Sequence, residues 1–229
     1  MTADESHPLI VAIDGPSGVG KSTAARRLAE RLRVPFLDTG AMYRAIGLKV
    51  LESGADPHDR KMVVALSDDA DVRLGRRPDG SFEVLLDGEP VESRIRTPEV
   101  GEATSAISTY PEVRQRMVRL QREAANHFGA VLEGRDIGTR VFPDTPYKFF
   151  LDARSDVRFR RRFEELQATG RPVTYADVEE EIRRRDLRDS TRVDSPLTRD
   201  DSYVFIDASD LSVDDVVERM AREIEGAGG

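Results

Sequence analysis

Apolar and polar positions follow two rhythms along the chain, and together they predict an α/β architecture. Short apolar runs read as buried strands: Ile10-Val11-Ala12-Ile13-Asp14, Pro35-Phe36-Leu37-Asp38, Ala130-Val131-Leu132, Tyr147-Lys148-Phe149-Phe150-Leu151 and Tyr203-Val204-Phe205-Ile206-Asp207. Segments of helical period lie between them. The first carries Leu28 and Leu32; the second starts near Thr39 and runs through Ile46, Leu48, Val50 and Leu51 to Gly54, with Asp38 or Thr39 as its N-cap. Further helices are predicted over Pro98–Ser108, Pro111–His127, Ser155–Leu166, Tyr175–Asp189 and Val213–Ile224. Strands alternating with helices call for a parallel sheet with right-handed crossovers.

Between Ala70 and Ile95 the period drops to two. Val72 and Leu74 alternate, as do Phe82, Val84 and Leu86, and turns are expected at Pro78-Asp79-Gly80 and Asp87-Gly88. The expected organisation is a core over 1–69 and 96–229 with a small antiparallel insertion over 70–95.

Chemistry concentrates where strands end. The first strand runs directly into Gly15-Pro16-Ser17-Gly18-Val19-Gly20-Lys21-Ser22-Thr23. Glycine, four residues, then Gly-Lys-Ser is the spacing of a phosphate-binding loop, and the strand–turn–helix context fits it. Its glycines let backbone N–H groups converge on an anion, and the new helix points its positive end at the same place. Lys21 would supply charge to the β/γ-phosphates and the Ser22 hydroxyl would bind Mg²⁺. Glu133 and Asp136 follow the Ala130–Leu132 strand, where α/β ligand sites gather. One could hold Mg²⁺ through water, and the other could bond substrate or orient Arg135.

Tyr43 and Arg44 sit in the first turn or so of the second helix, where a cation opposes the helix dipole and suggests an anion to meet. Arginine dominates the basic residues, since Lys occurs only at Lys21, Lys49, Lys61 and Lys148. Arg114, Arg116, Arg119 and Arg122 stud one helix, and Arg158, Arg160, Arg161 and Arg162 another. Arg185, Arg188, Asp189 and Arg192 are spaced to share a stripe about 100° wide. Two basic helices flanking Gly170-Arg171-Pro172 predict a lid over about 154–192 that closes on polyphosphate, held open by its own repulsion when empty. Few apolar residues are available to dock either helix.

Composition narrows the classes. The chain has 229 residues, no cysteine and a formal net charge of −8. Disulfides, thiolate metal sites and a cysteine nucleophile are excluded. The acidic balance argues against nucleic-acid binding, and no run approaches the roughly 18 apolar residues of a membrane span. The start, Met1 to Pro8, lacks the features of a targeting peptide, so a cytoplasmic protein is expected; a monomer is a separate expectation that nothing in the sequence fixes. His7, His58 and His127 have no metal or catalytic spacing, and the only Asn, Asn126, leaves no Asn-Lys-x-Asp base reader for a GTPase.

Four segments together resemble the bacterial cytidylate kinase family: Asp14–Thr23, Leu37-Asp-Thr-Gly-Ala-Met-Tyr-Arg44, Glu133-Gly-Arg-Asp-Ile-Gly-Thr139 with Val141-Phe-Pro143, and Arg184-Arg-Asp-Leu-Arg-Asp-Ser-Thr-Arg192. They span nearly the whole chain in the family's order. The resemblance implies a three-layer phosphate-loop kinase core with a five-stranded parallel sheet, the antiparallel insertion and a helical lid. It implies ATP with Mg²⁺ on Gly15, Pro16, Ser17, Gly18, Val19, Gly20, Lys21, Ser22 and Thr23, the metal also reaching Glu133 through water. CMP or dCMP would meet Thr39, Tyr43, Arg44, Arg114, Arg135, Asp136, Arg185, Asp189 and Arg192. Lys21, Arg135, Arg158, Arg162 and Arg185 would act on the transferring phosphoryl group. One departure precedes the last strand: Ser202-Tyr203 stands where the family usually shows small residues and an Asp. A kinase for another nucleoside monophosphate or a small metabolite such as shikimate is the alternative.

Overall fold

The apolar runs become strands, and the helical segments become the connections between them. A computed structural model describes residues 8–77, 82–126, 129–168, 170 and 172–226. The turn expected at Pro78-Asp79-Gly80, and Arg171, His7 and His127, lie outside the described residues. In chain order the elements are β1 (Ile10–Asp14), α1 (Lys21–Leu32), β2 (Phe36–Asp38), α2 (Thr39–Glu52), α3 (Arg60–Asp69), β3 (Val72–Arg76), β4 (Phe82–Leu86), β5 (Glu89–Pro90), α4 (Pro98–Ile107) and α5 (Pro111–Ala125). They continue with β6 (Ala130–Gly134), a π-helical turn Ile137–Val141, β7 (Tyr147–Asp152), α6 (Ser155–Ala168), α7 (Tyr175–Thr191), β8 (Val204–Asp207) and α8 (Val213–Gly226).

Five strands form a parallel sheet in the order β2-β6-β1-β7-β8. In β7 and β8 the register runs from Phe149 opposite Val204 to Asp152 opposite Asp207. β3, β4 and β5 form a separate antiparallel sheet, Val72 facing Leu86 and Arg76 facing Phe82. Its tight turn is the expected Asp87-Gly88, with φ of 51° and 87°. Positive φ at both central residues gives the backbone twist that a two-residue hairpin needs.

The chain divides into two compact units, Met1–Val11 with Ala29–Leu132 and Ala12–Leu28 with Glu133–Gly229. The first has a core that includes Leu37, Met42, Ile46, Val84, Ile95, Ile107 and Met117. Its α2 is capped by Asp38, whose side chain accepts from the Ala41 N–H at 2.9 Å. That settles the choice between Asp38 and Thr39, and Thr39 is buried at the first helical position. The helix α3 was not apparent from the hydropathy pattern. It buries only Val63 and Ser67, and its start depends on Asp59 accepting from the Met62 N–H.

The second unit buries Ile13, Leu28, Ile137, Phe149, Leu151 and Ile206. Its α8 adds Val216, Val217, Met220, Ala221 and Ile224, a stripe of helical period. The α6 and α7 helices differ from the sequence expectation. Phe159 and Leu166 of α6 pack with Val178 and Ile182 of α7 in a small core of their own, with Phe163 and Val173 against it. About one apolar residue per turn suffices here, because each helix buries its few apolar groups on the other. A capping box starts α7, the Thr174 hydroxyl accepting from the Asp177 N–H while the Asp177 carboxylate accepts from the Thr174 N–H.

Candidate active site

In the second unit the turn after β1 is forced by close packing. Gly15 has φ +150°, and a Cβ there would lie 2.0 Å from the Leu151 carbonyl oxygen of β7. Gly18, at φ +76°, would place a Cβ 2.8 Å from the Arg158 carbonyl oxygen of α6. Only glycine satisfies both the dihedral angle and the space at these positions. Pro16, Ser17 and Val19 complete a buried or half-buried turn, Gly20 follows, and Ser22 and Thr23 are exposed on the first turn of α1.

Lys21, the first residue of α1, is only 6% exposed. Its ammonium group folds back and donates to the Pro16 carbonyl at 2.6 Å. Burial pushes this amine down to about 7; Arg135 and Arg185 push the same way, against Glu133 and Asp14. A cation placed beside other cations with little water has an unmet demand for negative charge, which a polyphosphate would satisfy.

The arginines around it are held by carboxylates. Arg135 donates from Nε to Asp189 Oδ2 at 2.7 Å and from Nη2 to the Ser17 hydroxyl at 3.0 Å. Burial works against the charge on Asp189, yet Arg135, Arg185 and Arg192 hold its carboxyl below the usual range. Arg192 donates to the Ser195 carbonyl at 2.5 Å and reaches Asp136 Oδ1 at 3.5 Å and Asp189 Oδ1 at 3.9 Å. Arg158 donates to the Ser17 carbonyl at 2.9 Å and pairs with Asp186. Glu133, near the end of β6, is buried. The structure therefore brings together Lys21, Glu133, Arg135, Asp136, Arg158, Arg185, Asp189 and Arg192 within one unit.

Two side chains sit differently from the sequence expectation. Arg162 is paired along its own helix with Glu165 at 2.9 Å, and it is Arg161 that reaches the loop, donating to the Val19 carbonyl at 3.3 Å and the Ala208 carbonyl at 2.8 Å. The spacing of α6 did not distinguish these adjacent arginines, because both neighbour Arg158 on the helix surface. Asp186, absent from the expected set, accepts from the Ser17 N–H at 3.0 Å as well as pairing with Arg158. Its signal was available: it lies one turn before Asp189 on α7.

A further group at the site is Asp14, the last residue of β1. It is fully buried and accepts from the backbone N–H groups of Ile137 and Gly138, each at 2.9 Å. Burial raises its carboxyl above the ordinary value; the two N–H groups and the Tyr203 hydroxyl oppose that rise.

In the first unit, Tyr43 and Arg114 meet: the Arg114 guanidinium carbon lies 5.7 Å from the Tyr43 ring centroid. Arg114 is 3% exposed and donates to the Ser108 carbonyl at 3.3 Å. It shares the buried face of α5 with Val113, Met117 and Gln121, so it is not a solvated surface charge. Thr39 is buried and Arg44 half-buried on α2.

Among the described residues, no group of three or more His, Cys, Asp or Glu side chains could hold a metal ion. Of the two buried carboxylates that act on Lys21, Asp14 is engaged by Ile137, Gly138 and Tyr203, which leaves Glu133 and the Ser22 hydroxyl as the candidate donors. That set fits Mg²⁺ arriving with phosphate ligands and its own water, rather than an ion caged by protein. Among the described residues no helix is long and apolar enough to cross a membrane.

The sequence profile described as cytidylate kinase matches residues 11–226. A cytidylate kinase of Syntrophotalea carbinolica is 47% identical over 216 residues, covering 94% of this chain and 92% of that protein. One from Corynebacterium glutamicum is 47% identical over 220 residues, covering 96% and 95%. Among solved structures, an uncharacterized protein from Eubacterium ventriosum superposes with TM-score 0.52 at 14% identity, over 95% of this chain and 98% of that one. That likeness concerns the fold alone.

Proposed function

Because the chain belongs to the cytidylate kinase family, we propose that it transfers the γ-phosphoryl group of ATP to CMP or dCMP, giving ADP and CDP or dCDP. The observation that carries this reading is Lys21, buried at the phosphate loop beside Arg135 and Arg185 with its amine pushed down to about 7. Such a cation is arranged for an anion that brings several charges at once.

The reaction breaks the bond between the γ-phosphorus and the oxygen bridging to the β-phosphate. It forms one to a phosphate oxygen of the acceptor. That oxygen is already anionic near neutral pH, so neither a general base nor a covalent intermediate is required. The obstacle is the approach of two polyanions in line, and fixed cations lower it. Phosphate binding returns Lys21 to its charged form, and its ammonium group moves from the Pro16 carbonyl to the phosphates. Arg135, Arg158 and Arg185 neutralise charge on the transferring group, their carboxylate partners fixing where each guanidinium points. Mg²⁺, held by Ser22 and through water by Glu133, would neutralise further phosphate charge when bound.

On the acceptor, we assign Arg135, Arg185, Asp189 and Arg192 to phosphate and ribose. Thr39, Tyr43, Arg44, Arg114, Asp136 and Arg192 are assigned to nucleotide recognition, with Arg114 and Arg192 as fixed donors for cytosine O2 and N3. The segment from Arg154 to Arg192 is assigned the role of a lid. The test is a coupled assay of ADP release with ATP·Mg²⁺ and a panel of acceptors. CMP and dCMP should give the highest kcat/KM. A preference for AMP, GMP or shikimate would overturn the assignment.

A further inference from the structure

Tyr203, which directly precedes β8, is not at the surface. Its hydroxyl donates to Asp14 Oδ2 at 2.7 Å, and the residue is 8% exposed. The ring stands edge-on to Phe150, with centroids 6.1 Å apart and planes at 86°. Lys148 Nζ lies 6.0 Å from the ring centroid and donates to the Ser202 hydroxyl at 3.1 Å. Gly138 makes room for the phenol, since a Cβ there would come within 2.6 Å of the Tyr203 oxygen.

Asp14 connects this phenol to the site. Its Oδ1 accepts from Ile137 N–H and its Oδ2 from Gly138 N–H, so the carboxylate anchors the start of the π-helical turn. The two residues before that turn are Arg135 and Asp136, which reach Asp189, Ser17 and Arg192. No solvent reaches Asp14, whose exposure is 0%, so a lost donor at Oδ2 cannot be replaced by bulk water.

We propose that Tyr203 is a positioning residue for phosphoryl transfer: by donating to Asp14 it fixes the turn that presents Arg135 and Asp136 to the acceptor nucleotide. The phenol acts at second hand. It touches neither substrate, but sets how firmly the buried carboxylate holds the Ile137 and Gly138 amides. The aromatic ring, packed on Phe150, carries the stabilising contact, and the hydroxyl carries the positioning one. This inference rests on the acceptor-side assignment of Arg135 and Asp136.

Tyr203→Phe separates the two roles, because it keeps the ring and removes the donor. In the full-length variant the KM for CMP should rise about tenfold while the KM for ATP stays within twofold. Hydrogen exchange at the Ile137 and Gly138 amides should accelerate at least tenfold. In an Asp14→Asn background, where the carboxylate is already lost, Tyr203→Phe should add less than a twofold effect. Unchanged KM for CMP, equal changes for both substrates, or full additivity with Asp14→Asn would each overturn the proposal. So would failure of Tyr203→Phe to fold, since that would assign the hydroxyl to stability instead. If the wild-type protein does not phosphorylate CMP, the functional reading fails, and the amide exchange still reports whether Tyr203 holds the turn.

Discussion

Two regions of this chain are built from the same pairs, arginine or lysine against aspartate or glutamate, and put them to different use. In and beside the antiparallel insertion the pairs are more open to water: Arg73 with Asp71, Lys49 of α2 with Asp87 at 2.6 Å, Arg77 with Glu83 at 3.1 Å and with Glu92 at 3.4 Å. Around the phosphate loop the pairs are withdrawn from it. Arg135 and Asp189 keep 15% and 14% of their side chains exposed, and Arg192 and Asp136 keep 8% and 10%. Exposed pairs are screened and contribute little net stability. Buried ones carry a desolvation cost that their mutual attraction does not reliably return, so their presence is better explained by what they hold in place. Lys21 completes the contrast: burial and its cationic neighbours Arg135 and Arg185 outweigh Glu133 and Asp14 and push its amine down, whereas Lys49 of α2, paired with Asp87 and Asp69, is pushed up.

If that contrast is functional, damage should scale with burial. The largest effect is expected at Lys21. Lys21→Met should lower kcat/KM for CMP by about 100-fold or more, the usual scale for losing one preorganised transition-state contact. Its circular dichroism and unfolding cooperativity should match wild type. Full turnover in a folded Lys21→Met protein would erase the distinction between the two regions.

The same lysine gives the contrast a pH signature in ligand-free, metal-free protein. In the unfolded chain the amine titrates at its ordinary value of 10.5, and in the folded one at about 7. Between those values the unfolded state binds a proton that the folded state lacks, so this group makes stability rise with pH. Its slope approaches about 1.4 kcal/mol per pH unit. Urea unfolding from pH 7 to 9 should show wild type gaining on Lys21→Met. A difference that stays flat or falls with pH would show that the folded amine is not depressed.

Arg114 tests whether burial matters equally in the first unit. Arg114→Met should narrow the preference for CMP over UMP by about tenfold, since uracil carries a donor where cytosine N3 accepts; tenfold corresponds to about 1.4 kcal/mol. Measuring both acceptors at saturating ATP reads the ratio directly, and an unchanged ratio would remove Arg114 from base recognition. The smallest effect belongs to the insertion. Arg77→Ala should leave kcat/KM unaltered and shift the thermal midpoint by less than about 2 °C. A larger shift would mean that the exposed pairs are not as weak as their setting implies.

Legibility in the sequence followed the range of the interactions involved. The phosphate loop, β1 and the Asp87-Gly88 hairpin could be read because glycine spacing and strand alternation are local. The convergence of Arg135, Asp136 and Asp189 on one site followed from strand ends and helix period together with the family resemblance. What stayed hidden depends on distant partners. The π-helical turn at Ile137–Val141 hangs on a carboxylate that precedes it by more than 120 residues. Asp186 has the helical spacing to Asp189, but its role rests on Ser17 and Arg158, which spacing alone does not bring to it. Between Arg161 and Arg162 the helical period offered no choice, because their fates are decided by the carbonyls of Val19 and Ala208.

The private core shared by α6 and α7 has a calorimetric consequence. Phe159, Leu166, Val178 and Ile182 are satisfied within the pair, and the Phe163 and Tyr175 rings meet edge to face at 5.6 Å. A swing of the two helices as one body therefore neither wets nor dries that apolar surface. Its heat-capacity change should be small, because that quantity tracks apolar area gained or lost from water. Such a movement would be governed by charge and hydrogen bonding, and would keep nearly the same energetics over a wide range of temperature.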